Sequence, residues 1–161
     1  MTEIRWIEIA RSFIGTKEIL GPDSNPVIIG WLTKLKAWWR EDATPWCGVF
    51  AAHCMQEDGY AYPKEYYRAK EWLTWGENLP QPMYGCIVVF TRTGGGHVGF
   101  CVGKDTSGRL LILGGNQGDK VSIAPFDMNR VAGYRMPSHY AFTMRPPPVI
   151  DSNAKSSSNE S

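Results

Sequence analysis

Residues 43–54, with the sequence ATPWCGVFAAHC, place a cysteine in the first turn of a predicted helix, directly behind Thr44 and Pro45. The helix is predicted to begin at one of these two residues and to end at Gly59, since glycine commonly follows a helix. A thiol in the first turn lies near backbone N–H groups that lack helical partners and near the positive end of the helix dipole, and both favour the thiolate. The position predicts Cys47 as a nucleophile, with a metal ligand or an ordinary core residue as the alternatives.

Helical patterns fill the first half of the chain around this stretch, and strand patterns fill the second half. The other helices are predicted over residues 2–15, 24–40 and 64–76. Short runs rich in β-branched and aromatic residues then predict strands over residues 85–92, 97–104, 108–115, 120–126 and 131–137. Helices followed by strands predict an α+β fold, in which the N-terminal helices pack on a C-terminal antiparallel sheet of about five strands.

The length and composition are those of one globular domain. The chain has 161 residues, of which 43% are hydrophobic, and its formal net charge is +1. Lys and Arg are scattered along the sequence, which argues against nucleic acid as a partner. The end of the chain, RPPPVIDSNAKSSSNES, has little to bury, so we predict one domain over residues 1–140 and a Pro/Ser-rich, disordered tail over residues 141–161.

The sequence shows neither a membrane span nor a signal peptide. No apolar run is long enough to cross a bilayer, and residues 1–13 mix acids and arginines into their apolar pattern. We therefore expect a protein that is made in the cytoplasm. Its four cysteines form no CxxC pair and are expected to be thiols in a reducing compartment, while a disulfide outside the cytosol is left open.

His97 is the best candidate partner for Cys47 among the three histidines. It is predicted at the first residue of a strand, after the glycines 94–96, and hence at an exposed rim. His53 follows Cys47 by six positions, which turns it away from the cysteine on a helix, and His139 lies beyond the last predicted strand. A cysteine nucleophile needs such an imidazole as its base.

The third group of a catalytic triad is predicted where the strand 108–115 ends in the sequence GGNQGD. The imidazole needs a polar group that fixes its tautomer, and an amide oxygen there can accept its second ring N–H. Alternation along a strand puts Asn116 and Gln117 on opposite faces. We favour Asn116, with Gln117 as the alternative, and an ordinary turn is the competing interpretation.

Seven segments together resemble the papain-like cysteine peptidases of the CHAP and NlpC kind, and more narrowly a group of them associated with phages and prophages. They are IGTKE (14–18), DATPWCGVFAA (42–52), AKEWLTWG (69–76), GCIVVFTR (85–92), GHVGF (96–100), LGGNQGDKVSI (113–123) and GYRMP (133–137). The resemblance implies a papain-like core, a triad of Cys47, His97 and Asn116, no cofactor, and hydrolysis of an amide bond in peptidoglycan. CHAP members often carry an acidic residue two positions before the asparagine, where this chain has Gly114.

Residues beside the triad are expected to contact the substrate. Trp46 precedes the nucleophile and is expected to wall the cleft, Gly96 lets a ligand approach closely, and Gln117 follows the favoured amide. The backbone N–H of Cys47 is one expected donor to the oxyanion. A metal site that combines Cys47 and His97 with another cysteine is less favoured, because zinc ligands usually occur as local pairs.

The resemblance therefore implies a peptidoglycan endopeptidase or amidase, which we expect to act in the periplasm or at the cell wall, after export or lysis. The expected setting is a phage endolysin or an antibacterial effector, and an effector would have an immunity or inhibitor protein as a partner. One alternative is a catalytically inactive wall-binding or phage structural module with the same fold. Another is a thiol transferase or deamidase that acts on proteins with the same triad.

Overall fold

The computed structural model describes residues 3–151 and confirms the predicted α+β class. Residues 1–2 and 152–161 lie outside the described part of the chain, and so do the first residue of the first predicted helix and the end of the predicted tail. Three α-helices come first, namely α1 (Arg5–Ser12), α2 (Pro26–Lys34) and α3 (Cys47–Glu57). The fourth predicted helix is a 3₁₀ helix, Ala69–Thr74, and covers less than half of the predicted range.

Local chemistry explains where the helices begin and end. At α2 the side chain of Asn25 accepts a hydrogen bond from the backbone N–H of Val27 at 2.8 Å, and Pro26 occupies the first helical position. Gly59 follows α3 with φ +80°, a left-handed conformation that glycine adopts without steric cost. Both ends agree with the sequence prediction, whereas α3 begins at Cys47 itself, two or three residues later than predicted.

The described strands form one antiparallel sheet of six strands in the order β1-β6-β2-β3-β4-β5. Their bounds are β1 Glu77–Leu79, β2 Ile87–Arg92, β3 Gly95–Lys104, β4 Leu110–Gly114, β5 Ser122–Phe126 and β6 Val131–Met136. The predicted strands match β2 to β6, and a second 3₁₀ helix, Met128–Arg130, precedes β6. Strand β1 was not predicted from the sequence, because it is short and polar. It lies at the edge of the sheet and pairs with β6.

Helix α3 is the central element of the core. Residues Cys47–Met55 of this helix are all buried, and the helix packs against β3 and β4 on one side and against α1 and α2 on the other. Phe50 of α3 meets Phe100 of β3 with the ring centroids 6.3 Å apart. Because β3 lies in the interior of the sheet, this packing brings the first turn of α3 to the start of β3.

The chain after residue 140 stays in contact with the domain through residue 150. The backbone N–H of Lys104 donates to the carbonyl of Pro148, the N–H of Ile150 donates back to the carbonyl of Lys104, and Tyr84 N–H donates to the carbonyl of Arg145. Residues 145–150 therefore lie along the sheet, which corrects the predicted start of the disordered tail at residue 141. Separately, no helix within residues 3–151 is long and apolar enough to span a bilayer.

Candidate active site

Cys47 is the first residue of α3 and is buried, with 4% of its surface exposed. Burial raises the pKa of its thiol, while the backbone N–H groups of Val98 and Gly48 and the positive charge of Arg92 lower that pKa in part. The helix terminus acts in the direction predicted, but desolvation outweighs it. A nucleophilic role for this thiol therefore requires a base that takes its proton.

His97 directly precedes Val98 in β3, and the backbone N–H of Val98 is hydrogen-bonded to the sulfur of Cys47. His97 is the third residue of β3 rather than the first, and its exposed fraction is 0%. The imidazole stacks on the ring of Phe126, with the centroids 5.2 Å apart and the planes 8° from parallel. His97 was predicted to lie at an exposed rim, and this prediction is wrong because the ring of Phe126 covers the imidazole.

The imidazole of His97 is hydrogen-bonded to the side-chain amide of Gln117. Nε2 of the ring lies 2.9 Å from Oε1 of the amide. The amide nitrogen of Gln117 donates to the carbonyls of Ile112 at 3.1 Å and Ser122 at 2.9 Å, so its orientation is fixed. Since Oε1 can only accept, Nε2 of the imidazole must carry the proton, and Nδ1 is the basic nitrogen of the neutral ring.

Asn116 occupies a turn rather than a continuation of the strand. Strand β4 ends at Gly114, and Asn116 has φ +59°, in the left-handed region. This turn ends the alternation of faces on which the preference for Asn116 was based, and it directs the side chain of Gln117 back toward β4. Both residues are buried, and the amide oxygen that the structure places on the imidazole is that of Gln117.

Gly114 provides the space for this pair. A β-carbon at residue 114 would lie 2.3 Å from Oε1 of Gln117 and 3.4 Å from Nε2 of His97, and the first distance is sterically impossible. The amide of Gln117 thus occupies the volume that a side chain at residue 114 would need.

Trp46 does not line the cavity beside Cys47. Its exposed fraction is 1%, its ring packs against Trp31 with the centroids 5.9 Å apart, and its indole N–H donates to Glu18 at 3.0 Å. These contacts hold the residue in the core, which corrects the expectation that it walls the cleft. Gln117, also expected to contact substrate, is covered as well and contacts His97 instead.

A cavity of about 420 Å³ opens beside Cys47. Its walls are formed by Pro45, Cys47, residues 67–71, Arg92, and Gly95 with Gly96. Gly96 therefore lies where the sequence placed it, next to the space a substrate would enter. The sequence analysis did not identify the basic residues of the walls. Arg92 could have been noticed, because it lies two positions before the glycines 94–96.

A larger cavity, of about 770 Å³, lies beyond Glu71 and is lined in part by Tyr60, Trp75 and His139. Cys47 and His97 do not line it. The two cavities share Glu71. We assign the reaction to the smaller cavity, because chemistry requires access to the sulfur and only a cavity bordered by Cys47 gives it.

The remaining cysteines are packed in the core, as predicted. Cys54, Cys86 and Cys101 are each 0% exposed and are free thiols. Within residues 3–151, no three His, Cys, Asp or Glu side chains are grouped so that they could hold a metal ion.

Residues 39–116 match the model of a family described as the CHAP domain. The match includes Cys47 and His97 and ends one residue before Gln117. It confirms the resemblance to CHAP-type papain-like peptidases over these residues. No curated protein matches the chain.

Proposed function

We propose that this protein hydrolyses an amide bond of peptidoglycan, as an endopeptidase or an amidase, with Cys47 as nucleophile, His97 as base and Gln117 as the residue that orients the base. CHAP domains in general are cysteine-dependent hydrolases that act on peptidoglycan as amidases or endopeptidases, and residues 39–116 match their model. The observation that carries the proposal is the hydrogen bond between His97 and Gln117. This hydrogen bond leaves Nδ1 of His97 free of the proton and able to accept one. His97 directly precedes Val98, whose backbone N–H is hydrogen-bonded to the sulfur of Cys47.

In the first half-reaction, Nδ1 of His97 takes the proton of the Cys47 thiol as the sulfur attacks the carbonyl carbon of the scissile amide. The carbonyl π-bond electrons move to oxygen, and the backbone N–H of Cys47 is a donor to that oxyanion. The oxyanion then collapses, the C–N bond breaks, and the imidazolium gives its proton to the departing amine. The product that remains is a thioester between the substrate acyl group and Cys47.

In the second half-reaction, a water molecule occupies the position of the departed amine. His97 Nδ1 takes one proton from the water as its oxygen attacks the thioester carbon. Collapse of this second tetrahedral intermediate breaks the C–S bond, and the imidazolium returns the proton to sulfur. Burial raises the pKa of the Cys47 thiol, so both steps depend on the basicity and orientation of one imidazole.

The experiment is amine release from purified peptidoglycan by the full chain and by two variants, Cys47→Ala and His97→Ala. Each variant should reduce the rate to background while circular dichroism shows an unchanged fold. Cys54→Ala is the matched control, because Cys54 lies in the same helix and is buried away from the cavity. Undiminished release by Cys47→Ala would refute the proposal. Absence of release by the unmodified chain would also contradict it and would favour a wall-binding module without catalysis.

Mass spectrometry of the released fragments then identifies the bond. A new amino terminus within the peptide indicates an endopeptidase, and release of the whole peptide from the glycan indicates an amidase. Release of ammonia from protein glutamine without peptidoglycan cleavage would instead favour the alternative of a protein deamidase.

The cellular setting belongs to the same proposal: a phage endolysin or an antibacterial effector that reaches the wall from the periplasm. Expression in a bacterial host with an added export signal should cause lysis that depends on Cys47, whereas cytoplasmic expression should not. Survival of the exporting cells with active enzyme present would contradict this setting. If the protein is an effector, a neighbouring immunity or inhibitor protein should suppress the lysis.

A further inference from the structure

The walls of the cavity beside Cys47 carry more positive charge than negative charge. Three cationic side chains, Arg68, Lys70 and Arg92, and one carboxylate, Glu71, line it. The whole chain has a net charge of only +1, so the excess of positive charge is a local property of this cavity. In a partly enclosed space such charges act more strongly than on an open surface, because less water screens them.

Lys70 is the clearest of these charges. It is exposed and forms no ion pair with any residue between 3 and 151. Its aliphatic stem lies over the start of β3, since a β-carbon on Gly96 would be 3.4 Å from Cγ of Lys70. Arg68, in contrast, already lies 3.7 Å from a carboxylate oxygen of Glu65. An ammonium group without an internal partner is therefore held at the edge of the cavity.

Arg92 places a second charge close to the reacting atom. It is the last residue of β2, is half-buried, and pairs with Gly95 across the hairpin that leads to His97. Its positive charge lowers the pKa of the Cys47 thiol, against the larger effect of burial. The positive charge of Arg92 therefore acts at the sulfur, and it attracts an anion that enters the cavity beside Cys47.

We propose that this cavity recognises a substrate carboxylate next to the scissile amide, with Lys70 and Arg92 as its binding groups. The inference rests on the proposed function, which supplies the amide, and it adds the substrate class: a peptide with a free carboxylate beside the cleaved bond. Guanidinium and ammonium groups are the side chains that proteins use to bind carboxylates. The volume of about 420 Å³ lies within the range of small-ligand sites.

The first test measures charge at the sulfur without requiring catalysis. Iodoacetate and iodoacetamide alkylate the same thiolate, but only iodoacetate is an anion, so the ratio of their rates at Cys47 reports the local potential and cancels changes in thiol reactivity. The rates are followed by mass spectrometry of the Cys47 peptide. Lys70→Gln should lower the ratio of iodoacetate to iodoacetamide by about 3- to 10-fold at low ionic strength, and added salt should reduce the difference.

The control is Lys64→Gln, because Lys64 is exposed and lines the neighbouring cavity rather than this one. Its ratio should equal that of the unmodified chain. Equal ratios in the unmodified chain and in Lys70→Gln would overturn the proposal. A ratio that falls equally in both lysine variants would also overturn it, since the effect would then come from net charge alone.

The second test separates this inference from the proposed function. Two synthetic peptides that differ only in a terminal carboxylate or carboxamide are titrated calorimetrically into Cys47→Ser. The carboxylate peptide should bind about 5- to 10-fold more tightly, and Lys70→Gln should remove the preference. If the unmodified chain releases amines from peptidoglycan but Cys47→Ser binds both peptides equally, the proposed carboxylate site is wrong and the proposed hydrolase stands. If the carboxylate peptide binds more tightly but no amines are released, the proposed hydrolase is wrong and the carboxylate site stands.

Discussion

The Nε2 atom of His97 lies 2.9 Å from Oε1 of Gln117, and the orientation of that amide is fixed by two backbone carbonyls. Both residues are buried, and the imidazole of His97 stacks on the ring of Phe126. A hydrogen bond in such surroundings is protected from competition with water. The hydrogen bond to Gln117 therefore sets the tautomer of the His97 imidazole and, together with Phe126, holds its ring.

Gln117→Ala should lower kcat/KM for peptidoglycan peptides by about 10- to 100-fold, because the imidazole loses the partner that fixes its tautomer. Asn116→Gly is the matched variant, since glycine adopts the left-handed conformation of residue 116 without strain and leaves Gln117 in place. We expect a loss smaller than about 3-fold for Asn116→Gly. The opposite ranking of the two variants would return the orienting role to Asn116.

Gly114→Ala should reduce activity to the level of Gln117→Ala. A β-carbon at residue 114 would lie 2.3 Å from Oε1 of Gln117, so the amide must leave its position. The measurement is a double-mutant cycle on kcat/KM with Gln117→Ala as the second change. The double variant should be no worse than either single variant, because both remove the same interaction. Losses that simply multiply would show that Gly114 acts through some other contact.

The fold was predictable from sequence wherever one local signal decided the outcome. The β-branched runs from residue 85 onward gave five of the strands, and Asn25 with Pro26 gave the start of α2. Strand β1 lacks such a signal, because its three residues are extended only through pairing with β6. The segment Ala69–Thr74 has the composition of an ordinary helix, but it forms a 3₁₀ helix with Ala69 and Trp72 buried, and composition does not distinguish the two kinds of helix.

The site was predictable in its residue types and less so in its geometry. Cys47 and His97 follow from chemistry and position, but Gln117 could not be preferred over Asn116. Strand alternation was assumed to continue past Gly114, whereas the left-handed backbone of Asn116 interrupts it. The burial of His97 and the basic wall at Lys70 arise from segments far apart in sequence, which no local pattern reports.

Gly48→Ala should destabilise the domain by about 1–3 kcal/mol, although alanine is the better helix former. A β-carbon on Gly48 would lie 2.0 Å from the backbone oxygen of Tyr66, so the segment that crosses α3 must move. The next residues of that segment, 67–71, line the cavity beside Cys47, and activity should fall together with stability. Urea unfolding followed by fluorescence measures the first effect, and amine release measures the second.

Gly30→Ala is the control for this prediction. Gly30 lies inside α2, and a β-carbon there meets nothing within 4 Å. The substitution should stabilise the domain by up to about 1 kcal/mol through helix propensity alone. Equal stabilisation by both substitutions would mean that the Tyr66 segment does not rest on α3.

The last prediction concerns His53, a buried histidine in the middle of α3 that the reaction does not use. Its pKa is lowered from an ordinary value of 6.5 to about 4, mainly by desolvation. The charge of Glu57 opposes this shift, and the charge of Lys34 contributes to it. Its ring is 3% exposed and stacks on Trp31 with the centroids 5.5 Å apart. Between these two pKa values the unfolded chain binds a proton that the folded chain does not, so stability should fall as the pH falls from 6.5 to 4.

The expected size follows from the two pKa values. Between pH 7.5 and pH 5, His53 should account for about 2 kcal/mol of lost unfolding free energy. His53→Gln removes the titration, so its stability should fall about 2 kcal/mol less over this range than that of the unmodified chain, whatever its stability at pH 7.5. Gly30→Ala is the control, because it removes no titratable group, so its pH profile should run parallel to that of the unmodified chain. Parallel pH profiles for the unmodified chain and His53→Gln would show that the ring accepts a proton in place, and that α3 tolerates a charge in its buried middle.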